Sequence, residues 1–385
     1  MHFNRLEHLH LSYPLKKLKE GIYSLYLAHS IKGFVASLIG FFIPIFLYKT
    51  GFSLTEILFF YGIKEFFIIL FSILAGGIGN KLGLKHTMIA SLPLFLLYLI
   101  GIIFLKYNPS LFYLYTLSII SAFASALYWV PMHSLFARFS SNKKGDSQVG
   151  TLMSLQSLST MIAPLLGGFI SLKFGFELLF VLATIILIIP IVILLNSKDI
   201  QPHINFSIKD LTKFFKKHQQ HFLSIMLDSF SSFAETILWP LFVFLILKDT
   251  MSVGTVGSLI GVGTILFTML LSKIIAKHNY FLIVKISSFM LATTWILKFF
   301  TTKQFSIFAI SLFASLFAIM FSIPIASHTY KIAKNSKNTD EFIVFKQILS
   351  HSGVMLAVFA SLFLVMKINL SFLLAGVSYL LIILL

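Results

Sequence analysis

Twelve long apolar stretches occupy residues 22–48, 54–76, 87–105, 110–132, 149–172, 176–195, 222–247, 253–275, 280–300, 304–325, 342–366 and 368–385 of this chain. A helix needs about 20 mainly apolar residues to cross roughly 30 Å of hydrocarbon, so stretches of this kind can span a bilayer. Only helices and closed barrels satisfy their backbone polar groups in lipid. These stretches are too long and too uniformly apolar to alternate as barrel strands do. The fold class they imply is an all-α membrane protein with twelve transmembrane helices.

The 385 residues carry 30 Lys and Arg against 13 Asp and Glu, a formal net charge of +17. Such a balance could serve nucleic acid, but its placement says otherwise. With a cytoplasmic N-terminus, inside segments hold 21 of the cations, clustered at Lys16–Lys19, Lys81–Lys85, Arg138–Lys144, Lys198–Lys217, Lys273–Lys285 and Lys331–Lys346. Outside ends hold seven, Lys49, Lys106, Lys173, Lys248, Lys298, Lys303 and Lys367. That asymmetry is the positive-inside pattern and puts both termini in the cytoplasm. The charge is topological, with contact to membrane lipids and no nucleic acid as partner. The chain has no cysteine, which excludes disulfides and thiolate metal sites. His2, His8 and His10 lack metal-site spacing, so neither metal nor cofactor is expected. The first 20 residues have no apolar core, and the first span is expected to do the targeting. The expected location is the plasma (inner) membrane.

The one long polar interruption, residues 196–221, splits the spans six plus six. The organisation expected is a cytoplasmic segment at 1–20, a six-helix bundle at 21–196, a linker at 197–220 and a second bundle at 221–385. Within the linker, Ile208, Leu211, Phe214 and Phe215 recur at helical spacing opposite Lys209, Lys213, Lys216 and Lys217, the pattern of an amphipathic surface helix. Two short segments recur between the halves. Asn80–His86 aligns with Ser272–His278 at an offset of 192, and Tyr128–Pro131 with Phe321–Pro324 at 193. A parallel duplication places a substrate site near the bilayer midplane, between the halves.

The loop after the second span reads Gly76-Gly77-Ile78-Gly79-Asn80-Lys81-Leu82-Gly83-Leu84-Lys85. It resembles the G-x-x-x-D-R-x-G-R-[KR] signature of the major facilitator superfamily, with Gly76 and Gly83 matched, Lys81 and Lys85 basic, and Asn80 in place of the acid. The resemblance implies two six-helix bundles that rock about a central site, and a cytoplasmic latch that Asn80 would weaken. The fifth span resembles the G-x8-G-x3-G-P-x-x-G-G pattern of the drug/proton antiporter group: Gly150, Pro164, Gly167 and Gly168 match, while Ser159 and Ala163 stay small. Small residues let helices pack closely in lipid. That group's span-four arginine is missing, with Ser118 at its position, so coupling needs other groups.

Charged side chains inside spans are costly and normally face a partner or a wet cavity. The candidates for substrate contact or proton coupling are Lys32 and His29 in span one, Lys64 and Glu65 in span two, and Asp228 and Glu235 in span seven. Asp228 and Glu235 lie seven apart, on one helical face with Trp239, which could stack on a substrate. Neutralisation by lysines is the other reading of these acids. Pro44 and Pro240 differ by 196, as do Lys32 and Asp228. If the prolines mark one depth, those two charges lie level and could pair as a gate, with Glu65 the next partner for Lys32.

No nucleotide-binding loop, HExxH or GxSxG motif occurs, and no paired nucleophile and base suggests an enzyme. The expectation is a monomeric secondary active transporter of a small molecule, exporting by alternating access in exchange for protons. Nutrient uptake or facilitated diffusion stays open, as does a non-transporting, lipid-handling protein on the same fold.

Overall fold

The computed structural model describes the backbone of residues 21–139, 145–202, 204, 208–275, 279–336 and 338–385; side chains at 145–147, 150, 208–211 and 269–275 fall outside the described set. Among the described residues, eleven helices are long and apolar enough to cross a membrane. In the first half these are Gly21–Lys49, Leu54–Leu82, Leu84–Phe104, Leu111–Phe139, Thr151–Lys173 and Phe176–Leu195. In the second half they are Gln219–Leu247, Thr250–Thr268, Tyr280–Phe300, Gln304–Asn335 and Thr339–Phe363. The twelfth apolar helix, Leu370–Leu384, is shorter at 15 residues. Below, these are spans one to twelve. Spans two, four and ten run past the apolar ends expected of them, to Leu82, Phe139 and Asn335. Hydropathy marks only the most apolar part, whereas Lys81, Arg138 and Lys334 suit the negative end of a helix and prolong it beyond that part.

Two spans are broken at matching places. Pro44 has no N–H, so the carbonyl of Gly40 loses its helical partner, and span one divides into Gly21–Gly40 and Phe42–Lys49. Span seven runs as an α-helix to Phe233, widens into a π-turn over Ala234–Leu238, and resumes at Trp239 just before Pro240. A π-turn re-aims side chains, and this one carries Glu235. Pro131 and Pro324, the other aligned pair, both lie inside their helices, spans four and ten.

Span five lies along span eight with almost no side chain between them. Gly168 meets the Thr250 carbonyl, Gly254 meets that of Pro164, and Gly261 meets the backbone at Met161; a Cβ at any of them would collide with main chain. Gly167 abuts span one at Leu38 and Phe42. The side-chain position at Gly150 lies outside the described residues, as do those of Ser272–His278. Span two packs on span eleven, with Gly62 against Val358. The linker helix, Ile208–Lys217, sets Phe214 5.9 Å from Phe342 and Phe215 parallel to Phe222. Phe112, Phe305 and Phe363 are exposed, as suits residues in contact with lipid.

Candidate functional site

A cavity of about 200 Å³ opens within the first bundle and reaches Ile237 of span seven. Span one contributes Lys32 and span two Lys64; Ser121, Ser125 and Trp129 come from span four, Phe95 and Tyr98 from span three. Lys32 is only 8% exposed. Its ammonium sits 4.4 Å from the Tyr128 ring centre, 4.7 Å from Trp129 and 4.9 Å from Phe95. Ring faces attract a cation, which offsets part of its desolvation. Among the described residues no carboxylate lies within ion-pair distance of it. His29, one turn earlier, fixes this cage: its Nδ1 is 3.0 Å from the Tyr128 hydroxyl, and Gln156 donates to its Nε2 at 2.8 Å. His29 is buried and is not among the residues lining the cavity. Lys64 stands at the cavity beside Tyr61, 5.9 Å from the ring centre. Lined by two lysines and several hydroxyls, the cavity is cationic.

Glu65, Asp228 and Glu235 are not among the residues lining this cavity, and each has a partner of its own. Glu65 accepts from His351 of span eleven, whose Nε2 meets the Gln347 amide at 2.6 Å, so a buried polar chain joins the two bundles. Glu235 Oε2 is 2.5 Å from the Lys298 ammonium of span nine. Lys298 is fully buried and lies 4.1 Å from the Trp295 ring and 4.8 Å from Trp239. Glu235 Oε1 makes no hydrogen bond among the described residues. Asp228 accepts from the Tyr379 hydroxyl at 2.8 Å, and the cation acting on it is Lys346 of span eleven.

The sequence-level pairing of Lys32 with Asp228 is thus corrected, because equal depth does not fix rotation about the helix axis. Lys32 turns into its own bundle and Asp228 towards span twelve. Glu65, the second partner considered for Lys32, is taken by His351. Trp239, expected to stack on substrate, is wholly buried and donates to Ser311 Oγ at 3.1 Å. Sequence reasoning missed Lys298, because it falls near the outer end of its span and was counted as a flanking cation. His351 and His133 are also invisible to local pattern, because their partners, Glu65 and Tyr330, lie in the opposite bundle. Ser118, in place of the antiporter arginine, is buried and donates to the Phe60 carbonyl at 2.7 Å, joining spans two and four.

The face expected to be cytoplasmic is closed by span four against spans ten and eleven. Arg138 Nε donates to Asp340 at 3.2 Å, with a second, closer contact from Nη2. His133 Nδ1 lies 2.6 Å from the Tyr330 hydroxyl, and Phe136 packs 4.5 Å from the Tyr330 ring. Beside this closure, the Gly76–Lys85 segment, expected as a loop, is helical on both sides of Gly83 and takes its acid from elsewhere. Asp199, after span six, accepts from the Lys85 amide at 2.7 Å and meets His86 Nδ1 at 2.5 Å. Gly83, with φ +87°, turns the chain there, and Asp199 occupies the space a Cβ would need. Lys85 Nζ donates to the Ser197 carbonyl at 2.9 Å. Asn80 clasps the backbone of Ile204 at two points, donating to its carbonyl and accepting from its amide, each at 2.7 Å. Lys81 is exposed. Asn80 therefore fastens the linker, a task its two-faced amide performs and a carboxylate, which only accepts, could not.

The family pattern described as Major Facilitator Superfamily matches residues 25–339. Among solved structures, the human organic anion transporter MFSD10 (TETRAN) is 12% identical, with 95% of this chain and 99% of that one covered and a TM-score of 0.67. The transporter FucP in its outward conformation is 12% identical over 94% and 97% of the two chains, TM-score 0.65. A variant of the E. coli fucose:proton symporter FucP gives 12%, 97% and 97%, TM-score 0.63. A search of curated sequences finds no match.

Proposed function

This chain belongs to the major facilitator superfamily, a family of transporters, and we propose that it is a proton-coupled secondary transporter of a small organic anion. The observation that carries the reading is Lys32, a buried lysine at the cavity with aromatic faces around it and no carboxylate partner among the described residues. An uncompensated charge in a poorly solvated place is costly, and an anionic substrate would neutralise it. Lys64 adds a second cation, Ser121 and Ser125 add hydroxyls, and Phe95 and Trp129 suit an aromatic or otherwise apolar body. A solved relative of the same fold is named for organic anion transport, which agrees with this class.

The cationic cavity favours movement of anion and proton in the same direction. A lysine must hold its proton to bind the anion, so the two travel together. Glu235 is the second proton site. Once protonated it no longer holds Lys298, and that freed cation adds to the attraction for the anion. The other reading is export in exchange for protons, favoured by Pro164, Gly167 and Gly168 in span five. An inside-negative membrane would help such export, by about 2.3 kcal/mol per charge per 100 mV. Reconstituted vesicles decide between them. An acid-outside gradient should drive a labelled aromatic carboxylate inward, and Lys32→Met should slow it at least tenfold. Outward movement under that gradient selects exchange. Equal transport of the neutral amide analogue would sink the anion reading.

A further inference from the structure

A second and larger cavity, about 410 Å³, lies at the cytoplasmic ends of spans seven, nine, ten and twelve and shares no residue with the central one. The last turn of the linker helix closes one side of it. Its lining includes Lys216, Lys217, Lys285, His218, His221 and His328, together with Tyr280 and the last residue, Leu385, and no Asp or Glu side chain. The cluster is built. His221 is buried and held by the Thr329 hydroxyl at 2.9 Å and the Tyr280 hydroxyl at 3.3 Å. The His328 ring is wedged 4.8 Å from both His221 and Tyr280. Burial, and then Lys217, hold the pKa of His218 below the ordinary imidazole value, so positive charge here is already crowded. The opposite wall is apolar, formed by Phe281, Val284 and Ile382, and Phe281 is 56% exposed.

A cationic rim joined to an apolar wall, at the level where the spans leave the hydrocarbon, matches a molecule with a charged head and a greasy tail. We propose that this pocket seats the phosphate-bearing headgroup of an acidic phospholipid, with Lys216, Lys217 and Lys285 as counter-charges and Phe281, Val284 and Ile382 against its upper acyl carbons. Basic recesses between helices on the cytoplasmic side have the chemistry for such headgroups. A soluble phosphate compound would use the rim and leave the wall idle. The seat has a mechanical role as well. It ties the linker helix to the second bundle beside His328, two residues from the Tyr330 that closes the cytoplasmic face. Lipid bound there braces the closed state.

The test uses the full-length protein, purified in detergent and stripped of lipid, with thermal unfolding followed after adding dioleoyl phosphatidylglycerol, dioleoyl phosphatidylcholine or inorganic phosphate. A ligand that binds only the folded state raises the midpoint in a concentration-dependent way. Phosphatidylglycerol should raise it by several degrees and phosphatidylcholine should not. Lys285→Gln and Lys216→Gln/Lys217→Gln should lose most of that rise, while Lys198→Gln, an exposed cytoplasmic lysine outside the pocket, should keep it. Equal midpoints of all variants in phosphatidylcholine would show that their folds are intact. An undiminished rise in the pocket variants overturns the site. An equal rise with inorganic phosphate, lost in the same variants, overturns the lipid in favour of a soluble anion.

Discussion

Lys298 and Lys32 meet the same physical problem, an ammonium withdrawn from water, by different means. Both lie against two or more aromatic rings, yet among the described residues only Lys298 has a carboxylate. Removing one member of a buried pair strands the other, whereas removing both can be nearly neutral. Here the lysine is the buried member and Glu235 is half-buried, so Glu235→Met should lower the unfolding midpoint more than Lys298→Met, and the double variant should recover most of the loss; a double variant as unstable as Glu235→Met alone would disprove the pairing. His218 offers a pH readout outside the membrane. Its pKa is lowered by burial first and by Lys217 second, and an anion in the basic pocket opposes the second effect. Histidine NMR titration should show this pKa rising when phosphatidylglycerol is added and staying put with phosphatidylcholine. The other basic groups facing it around the pocket are His221, His328, Lys216 and Lys285.

At the level of helices, most of the architecture could be read from the chain itself, because a span is long, continuous and dictated by the bilayer. The six-plus-six division, the span positions and the prolines of spans four and ten all follow from local pattern. Partnerships did not. Which way Lys32 faces depends on helix rotation, and the acid beside Gly83 comes from Asp199, more than a hundred residues away. His351 carries no local signal of its bond to Glu65. The π-turn under Glu235 was equally hidden, although Pro240 marks where the backbone is short of a donor. The small residues of span five were legible, but their partners Gly254 and Gly261 emerge only from the contact of spans five and eight. Gly254→Leu should push those helices apart and cost about 1–3 kcal/mol or more, with transport lost. Gly77→Ala, where a methyl group meets nothing within 4 Å, should be tolerated or should stabilise by up to about 1 kcal/mol. Thermal unfolding and vesicle transport of both variants would check the contrast.

For the molecule as a whole, the cytoplasmic closure rests on Arg138 and Asp340, one from each bundle. Arg138→Asp or Asp340→Arg alone should open that face and expose the cavity. A cysteine introduced at Ser125, in this cysteine-free chain, should then react faster with a cytoplasmic maleimide, and the double swap should return the rate towards that of the parent. Labelling that ignores all three changes would place the gate elsewhere. The same chemistry checks orientation: a cysteine at Asn142 should label only from the cytoplasm and one at Asn108 only from outside.

The clasp of Asn80 on Ile204 has a consequence for how far the bundles can travel. On one side of it the chain is moored to the first bundle; on the other, from Ile208, it is a helix whose Phe214 and Phe215 lie on Phe342 and Phe222 of the second. Four residue steps separate these moorings, and a fully extended chain covers about 14 Å in that length. If the two bundles rock, the tether should act as a stop that limits their stroke. Rocking within that reach needs no bond broken, and any wider swing must unhook the amide or peel the helix away. Splicing a few glycines and serines in after Ile204 would lengthen the stroke without touching either bundle. Spin labels on the cytoplasmic ends of spans four and ten should then report a longer maximum separation, and an unchanged maximum would mean the stop lies in the bundles themselves.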